Sequence, residues 1–359
     1  MPDRIFNFSA GPGTLPLEVL QQAAKDVVNF NDKGIGLIEM SHRSKEFVAV
    51  ADEAEALLRE LLGVPNNFKV LFLQGGASTQ FAMVPMNLLG PGKKATYLNT
   101  GVWSKKAIKE AKLLGDAQVA YSSEESNFNH VPTNNDYQVG NDSEYLYFVS
   151  NNTIYGTQFH GFPKTDKMLV CDMSSDIMSR HLDFSKFGII FAGAQKNMGP
   201  AGCAVVIIRD DLLDRTPETV PTMFRYKTHA DKGSMFNTPP CFSIHVIGLV
   251  LKWLKKLGGI SIIEEMNREK AALLYQAIDG TDFYRGHAEE ASRSLMNVAF
   301  NLPTPELEAK FVQEATAQGF DGLKGHRSVG GCRASIYNAF PREGVQKLIS
   351  FMQKFEQQN

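Results

Sequence analysis

A lysine and an aspartate follow two apolar runs near the middle of the chain. Asp172 comes directly after a run that ends at Cys171, and Lys196, 24 residues later, comes shortly after a run that ends at Phe191. A lysine in a covered cleft is less readily charged and can act as a nucleophile or form a Schiff base. On position alone, Lys196 could equally be a solvated surface lysine, and Asp172 could equally be a helix cap. As a pair they match pyridoxal phosphate, which bonds to a lysine and needs an acid to keep its ring nitrogen protonated.

Two further features would suit the same cofactor. The segment Gly75-Gly76-Ala77-Ser78 opens a predicted helix, whose free backbone N–H groups and serine hydroxyl could bind a phosphate. Trp103 lies at the start of another predicted helix and offers a flat face to an aromatic ring. A tryptophan in such a position is, however, more often part of a core or an interface.

The fingerprints of several other chemistries are absent from the sequence. No segment has the GxGxxG pattern after a strand, a complete P-loop, HExxH or GxSxG. Their absence disfavours dinucleotide binding, NTP hydrolysis, zinc proteolysis and serine hydrolysis. The four cysteines stand far apart, so the sequence predicts neither a metal site nor a disulfide framework.

The composition is typical of a globular protein without a surface for polyanions. The chain has 359 residues, 43% of them hydrophobic, and a net charge of −2 at pH 7. Nucleic-acid binding depends largely on phosphate neutralisation, so this charge gives no reason to expect it. The first residues carry no apolar signal-peptide core, and no apolar run is long enough to span a bilayer. We therefore expect a cytoplasmic protein that acts on small molecules.

Short apolar runs alternate with helical patterns over most of the chain. Such runs are typical of strands buried on both faces, and the alternation predicts an α/β fold with a mostly parallel, doubly wound sheet. Ligands bind at the carboxyl ends of strands in such a sheet, where Asp172 and Lys196 would meet across one cleft. Helices are predicted after Pro16, after Ser44, near Ser78 and over 104–114. The predicted strands are 70–73, 97–98, 145–149, 168–171, 188–191 and 204–208.

The last third of the chain has a different pattern, which predicts a smaller α+β domain. We expect the large domain to cover 16–258, and the small domain to combine 1–15 with 259–359. The elements predicted in the last third are helices at 242–257, 260–278, 304–318 and 343–355, and strands near 296–300 and 333–337.

Six motifs distributed over the whole chain resemble those of the phosphoserine aminotransferase family, which are class-V pyridoxal-phosphate enzymes of fold type I. The resemblance implies the two-domain α/β architecture of that fold type and a homodimer. The motifs are FNFSAGP (6–12), SHR (41–43), GGASTQF (75–81), AGAQKN (192–197), GSMFNTPP (233–240) and GHRSVGGCRAS (325–335).

The resemblance also implies which residues bind the cofactor, pyridoxal 5′-phosphate. Lys196 matches the Schiff-base lysine, and Asp172 matches the partner of the ring nitrogen. Ser78 stands where related enzymes often carry a larger or basic residue, so phosphate binding would depend more on backbone N–H groups. The remaining implied contacts are those of Ala77, Ser78, Trp103, Thr153 and Gln195, together with Asn237 and Thr238 reaching across from the partner subunit.

The family converts 3-phosphohydroxypyruvate and L-glutamate into O-phospho-L-serine and 2-oxoglutarate in L-serine biosynthesis. Both substrates carry an α-carboxylate, for which Arg333 matches the bidentate partner. Ser9 matches a residue near the amino-donor site. Each substrate also carries a second anion at its far end, and there we expect imidazoles with a raised pKa. The residues that match the far-end site are His42, Arg43, His326 and Arg327.

Three other interpretations remain open on the sequence. The protein could be a fold-type-I enzyme acting on another anionic keto acid, such as the phosphorylated hydroxythreonine precursor of vitamin B6. It could be a non-catalytic relative, although such a protein would be expected to lose Lys196. It could also be an NAD-dependent dehydrogenase, against which the missing glycine fingerprint argues.

Overall fold

A seven-stranded sheet forms the centre of this computed structural model, which describes residues 4–90 and 92–359. In spatial order the strands are β2 (Phe68–Leu73), β10 (Ala204–Arg209), β9 (Phe187–Gly193), β8 (Leu169–Asp172), β5 (Ser143–Val149), β3 (Lys94–Asn99) and β4 (Asp116–Ser122). Strand β10 runs antiparallel to its neighbours β2 and β9, and all other adjacent pairs are parallel.

Helices cover both faces of this sheet. The alternating side chains of β2 show the two layers, because Val70 and Phe72 belong to one apolar cluster and Leu71 and Leu73 to the other. The helices of this unit are α1 (Leu17–Val28), α2 (Lys45–Leu62), α3 (Gly76–Leu88), α4 (Val102–Ala111), α5 (Tyr226–Ala230) and α6 (Cys241–Leu257).

The last third of the chain forms a smaller α+β unit with its own apolar cluster. Short β1 (Phe6–Asn7) pairs in parallel with β13 (Phe320–Asp321), which ties the amino-terminal segment to this unit. A two-stranded hairpin, β6 (Asn151–Asn152) with β7 (Thr157–Gln158), directly follows β5 of the large sheet in the chain. The small unit contains α7 (Ile260–Asp279), α8 (Pro305–Ala317), α9 (Arg342–Gln358) and the antiparallel strands β11 (Arg285–Gly286), β12 (Asn297–Asn301) and β14 (Cys332–Ser335).

The predicted mostly parallel α/β architecture is confirmed. Ser44 caps α2 through a bond from the backbone N–H of Phe47, and Gly63 ends it in the left-handed conformation, as the sequence indicated. The sequence missed β4, because that edge strand is polar and largely exposed. The helix predicted over 104–114 is displaced and covers Val102–Ala111. The predicted domain boundaries remain a prediction.

Among the described residues, no helix combines the length and apolar character needed to cross a membrane.

A buried lysine organises the turn between β14 and α9. Lys270 of α7 is only 1% exposed, and its ammonium group donates to the carbonyl oxygens of Tyr337 (2.7 Å), Ile336 (3.0 Å) and Phe340 (3.0 Å). Burial lowers the pKa of Lys270 to about 7. Two residues of this turn contact other parts of the chain. Tyr337 donates to the backbone oxygen of Ala10, and the backbone N–H of Asn338 donates to the side chain of Asn197.

We predict that Lys270→Met lowers the free energy of unfolding by about 3 kcal/mol, because it leaves buried carbonyl groups without a donor. Thermal unfolding would show this as a lower Tm. Lys354→Met, at an exposed position on α9, is the matched control and should leave the Tm unchanged. Equal Tm values for the two variants would contradict the prediction.

Candidate active site

A cavity of about 740 Å³ opens where β8 and β9 end and α3 begins. The small unit closes one side of it through the segment that carries Arg333. This is the position at which doubly wound sheets bind their ligands. The predicted site residues that line it are Ala77, Ser78, Trp103, Thr153, Asp172, Gln195, Lys196, His326, Arg327 and Arg333.

Five predicted site residues do not line this cavity. Ser9 directly precedes Ala10 and Gly11, which do line it. Asn237 lines a second cavity of about 350 Å³, and the backbone oxygen of Thr238 accepts a bond from Gln74. The two others, His42 and Arg43, lie away from the cavity of their own chain.

Asp172 is the last residue of β8 and is 5% exposed. Its Oδ1 atom accepts two bonds from Ser174, while no described residue donates to its Oδ2 atom. Burial raises the pKa of the Asp172 carboxyl, and the positive charge of Lys196 and the bonds from Ser174 lower it. A carboxylate with one free oxygen fits the protonated ring nitrogen of pyridoxal phosphate.

Lys196 follows β9 by three residues and faces the cavity. Burial lowers its pKa to about 8, and Arg333 acts in the same direction, while Asp172 opposes the shift. The neutral amine required to bond an aldehyde is therefore much more populated near neutral pH than in an ordinary lysine. Gly11 packs against this lysine, since a Cβ atom there would lie 3.5 Å from Lys196 Cγ.

The side walls of the cavity hold Trp103 and Arg333. Trp103 donates from Nε1 to Thr153 Oγ1 at 3.2 Å, which fixes the indole, and Lys196 Nζ lies 5.8 Å from the ring centroid. Arg333 donates from Nη1 to the backbone oxygen of Thr153 at 3.0 Å. Its Nε atom is buried without a partner among the described residues. Its Nη2 atom makes no hydrogen bond to the described residues, so it is the donor left for a carboxylate.

The amino terminus of α3 provides a place for a phosphate. Gly75, at φ +88°, turns the chain into the helix, and a Cβ atom there would lie 2.0 Å from Thr79 Oγ1. The first turn carries no acidic side chain, and its backbone N–H groups are available to an anion. Ala77, Ser78 and Gln195 all line this end of the site, so these residues fit the phosphate of the cofactor.

His326 and Arg327 lie on a glycine-rich hairpin at the edge of the cavity. The hairpin is held by a bond from Gly325 N to Gly331 O at 2.9 Å, and by one from Gly331 N to Glu308 Oε2 at 2.8 Å. Burial, together with the charges of Arg333 and Arg327, lowers the pKa of His326. The raised pKa expected for this histidine is thus not found in the chain alone, where no anion offsets the two guanidinium groups.

Sequence reasoning missed a buried polar network behind the site. Asn151 donates to Asn297 Oδ1 at 2.8 Å, Asn297 donates to Tyr337 OH at 3.1 Å, and Tyr337 donates to Ala10 O at 2.6 Å. Its members are far apart in sequence, so no local pattern could have indicated it. No group of three or more His, Cys, Asp and Glu residues within 4–90 and 92–359 is placed to hold a metal ion.

Comparison with known proteins identifies the family. The family model described as aminotransferase class-V matches residues 5–348. The chain belongs to the class-V aminotransferase family. Phosphoserine aminotransferases from Desulfotalea psychrophila and Geobacillus kaustophilus are 72% and 54% identical to it, over 100% and 98% of this chain and 99% and 98% of theirs.

Solved structures of class-V aminotransferases show the same fold. Phosphoserine aminotransferase from Bacillus circulans subsp. alkalophilus superposes with a TM-score of 0.97 at 50% identity, covering 99% of each chain. The pyridoxal-phosphate-bound enzyme from Trichomonas vaginalis gives 0.94 at 40% identity, covering 98% of this chain and 100% of that one. The predicted fold type, aminotransferase chemistry, cofactor and resemblance to phosphoserine aminotransferases are confirmed.

We predict that cofactor-free protein attaches pyridoxal phosphate at a rate that rises with pH, with a midpoint near pH 8, because only neutral Lys196 attacks the aldehyde. Asp172→Asn should move the midpoint to lower pH, because the lost carboxylate charge no longer favours the ammonium form. Borohydride trapping followed by mass spectrometry measures the rate. Nα-acetyl-lysine, whose side-chain amine is free, is reacted in parallel. It shows how much of the pH dependence comes from the cofactor rather than from the protein. A protein midpoint near the ordinary lysine value of about 10.4 would contradict the prediction.

Proposed function

We propose that this protein transfers the amino group of L-glutamate to 3-phosphohydroxypyruvate, producing O-phospho-L-serine and 2-oxoglutarate for L-serine biosynthesis. The observation that carries the proposal is the presence of Lys196, Arg333 and the pair His326–Arg327 around one cavity. Relatives that are 52–72% identical over at least 98% of the chain bear the name of phosphoserine aminotransferase. We expect the reaction to take place in the cytoplasm.

Two separated cationic groups match the two anionic ends of both substrates. Arg333 is oriented by Thr153, and its Nη2 atom makes no bond to the described residues, so the guanidinium can bind the α-carboxylate. His326 and Arg327 line the same cavity and can bind either a phosphate or a γ-carboxylate. One site thus accepts both substrates in turn.

The chain supplies the groups that move protons during the transfer. Once bound, pyridoxal phosphate supplies an electron sink and carries the amino group between the substrates. Lys196 Nζ, with a pKa of about 8, can accept the proton from the substrate Cα. The Asp172 carboxylate holds a proton on the ring nitrogen, and Trp103 orients the ring by stacking.

The proposal is tested by following the visible absorbance band of the holoenzyme. We predict that L-glutamate removes the band and that 3-phosphohydroxypyruvate restores it, because a ping-pong reaction converts the cofactor back and forth. Unphosphorylated hydroxypyruvate should fail to restore it, since it lacks the far-end anion. A band that ignores glutamate would refute the amino donor. Restoration only by a longer phosphorylated keto acid would replace the proposed acceptor.

We infer further that the enzyme is a homodimer whose subunits complete each other's sites. Apart from Ser9, the implied site residues absent from the cavity of their own chain occur in two segments, around His42–Arg43 and Asn237–Thr238. Exposed apolar side chains lie near both segments, which supports burial of these surfaces by a second chain. These side chains are Ile35 and Ile38 near the first segment, and Met223, Phe224, Phe236 and Phe242 near the second.

In this arrangement Asn237 and Thr238 reach the cofactor phosphate of the partner subunit. His42 adds an imidazole and Arg43 adds positive charge to its far-end anion site. Arg43 is exposed, and no described carboxylate pairs with it within one chain, which leaves its charge available. A symmetric dimer would then contain two equivalent composite sites.

We predict that inactive Lys196→Ala and Arg43→Ala homodimers regain activity when their subunits are mixed by unfolding and refolding. Each hybrid dimer would contain one site with intact Lys196 and an intact partner Arg43, giving about one quarter of wild-type activity under random pairing. Mixing Lys196→Ala with Arg327→Ala is the matched control. It should restore nothing, because both residues line the cavity of one chain. Failure of the first pair to complement would refute the composite site.

A further inference from the structure

We propose that Ser174 is a positioning residue for Asp172. The hydrogen bonds that Ser174 donates select which carboxylate oxygen of Asp172 faces the cofactor ring, and they keep that carboxylate charged. The proposal depends on the pyridoxal-phosphate chemistry and holds whichever keto acid is the amino acceptor.

The contacts between the two residues are made to one oxygen only. The backbone N–H of Ser174 lies 2.9 Å from Asp172 Oδ1, and its hydroxyl lies 2.6 Å from the same atom. Both residues are 5% exposed, so water does not replace these bonds. Because Oδ1 is bound twice, rotation of the carboxylate is fixed and Oδ2 is left for the ring nitrogen.

The direction of the serine hydroxyl is itself determined. Ser174 Oγ accepts a bond from the backbone N–H of Gly193 at 3.0 Å, so its own hydrogen is free to point to Asp172. Gly193 ends β9 and precedes Lys196 by three residues. The serine therefore connects the ends of the two strands that carry the acid and the lysine.

The surroundings of Asp172 explain why a donor is needed there. Burial and the nearby carboxylate of Asp176 both raise the pKa of Asp172, while Lys196 and Ser174 lower it. Asp176 is bound separately, by Arg180 at 2.9 Å and Gln158 at 3.1 Å, and offers Asp172 no donor. Without the Ser174 hydroxyl a larger fraction of Asp172 would be neutral, and a neutral acid cannot hold the ring nitrogen protonated.

The test compares holoenzyme variants in this turn. Ser174→Ala removes the hydroxyl, and Ser174→Thr retains it. Ser179→Ala is the matched control, because Ser179 is equally buried and its hydroxyl donates to the backbone oxygen of Asp176 instead. Three quantities are measured for each: the dissociation constant of pyridoxal phosphate, the single-turnover rate with L-glutamate, and the rise in Tm on cofactor binding.

We expect Ser174→Ala to slow the single turnover and to weaken cofactor binding, each by about 10-fold or more, with a smaller rise in Tm. The glutamate concentration that gives the half-maximal single-turnover rate should not change, and Ser174→Thr should recover most of the loss. A merely structural role would lower the Tm with and without cofactor and leave the turnover rate and cofactor affinity unaltered.

The proposal would be overturned if the turnover rate and cofactor dissociation constant of Ser174→Ala were within about twofold of those of Ser179→Ala. Loss of a hydrogen bond to a charged group should change both by more than that. If Ser174→Ala does not fold, Ser174→Cys serves the same purpose, because it is similar in size and a weak donor. A Ser174→Cys enzyme with wild-type turnover and cofactor affinity would equally overturn it.

Discussion

A carboxylate and an amine share one buried edge of the sheet, and each changes the ionisation of the other. Burial alone would neutralise both groups, while their mutual attraction favours the charged forms. Because the two effects oppose each other, the pKa of Lys196 is lowered only to about 8. The other contacts of the cavity are arranged around this pair, because the cofactor must touch both residues at once.

The small unit takes a direct part in maintaining that pair. The side-chain oxygen of Asn197, the residue after the lysine, accepts the backbone N–H of Asn338 at 3.0 Å. Tyr337 reaches the amino-terminal segment at Ala10, which lines the cavity. Lys270 orders the turn that carries both residues. The lysine loop is thus supported from the large sheet on one side and from the small unit on the other.

Much of this could be predicted from sequence, for physical reasons that differ between residues. The strands that end at Asp172 and Gly193 are buried throughout and apolar before those last residues, which is a strong local signal. In contrast, β4 is polar and largely exposed and gave no such signal. Motif resemblance located Arg333 and His326. The bond between Asn151 and Asn297 joins residues 146 positions apart, so only the folded chain brings them together.

Two expectations from the sequence differ from the fold of the single chain. His42 and Arg43 match the far-end anion site, yet the fold of one chain does not bring them to it. The pKa of His326 was expected to be raised by a phosphate, but in the chain alone its neighbours are guanidinium groups, which lower it.

The two groups of the small unit that we propose to bind the substrate anions lie on one short piece of chain. Arg327 and Arg333 are separated by a glycine-rich turn, and Gly331 has no room for a side chain because a Cβ atom would lie 2.3 Å from Phe300 O. The distance between the α-carboxylate site and the far-end site is therefore set by the length of this hairpin. Adding or removing a residue there would change the length of substrate that fits, while Asp172 and Lys196 stayed in place. In proteins of this architecture, the length of the accepted substrate can therefore change while the catalytic residues stay the same.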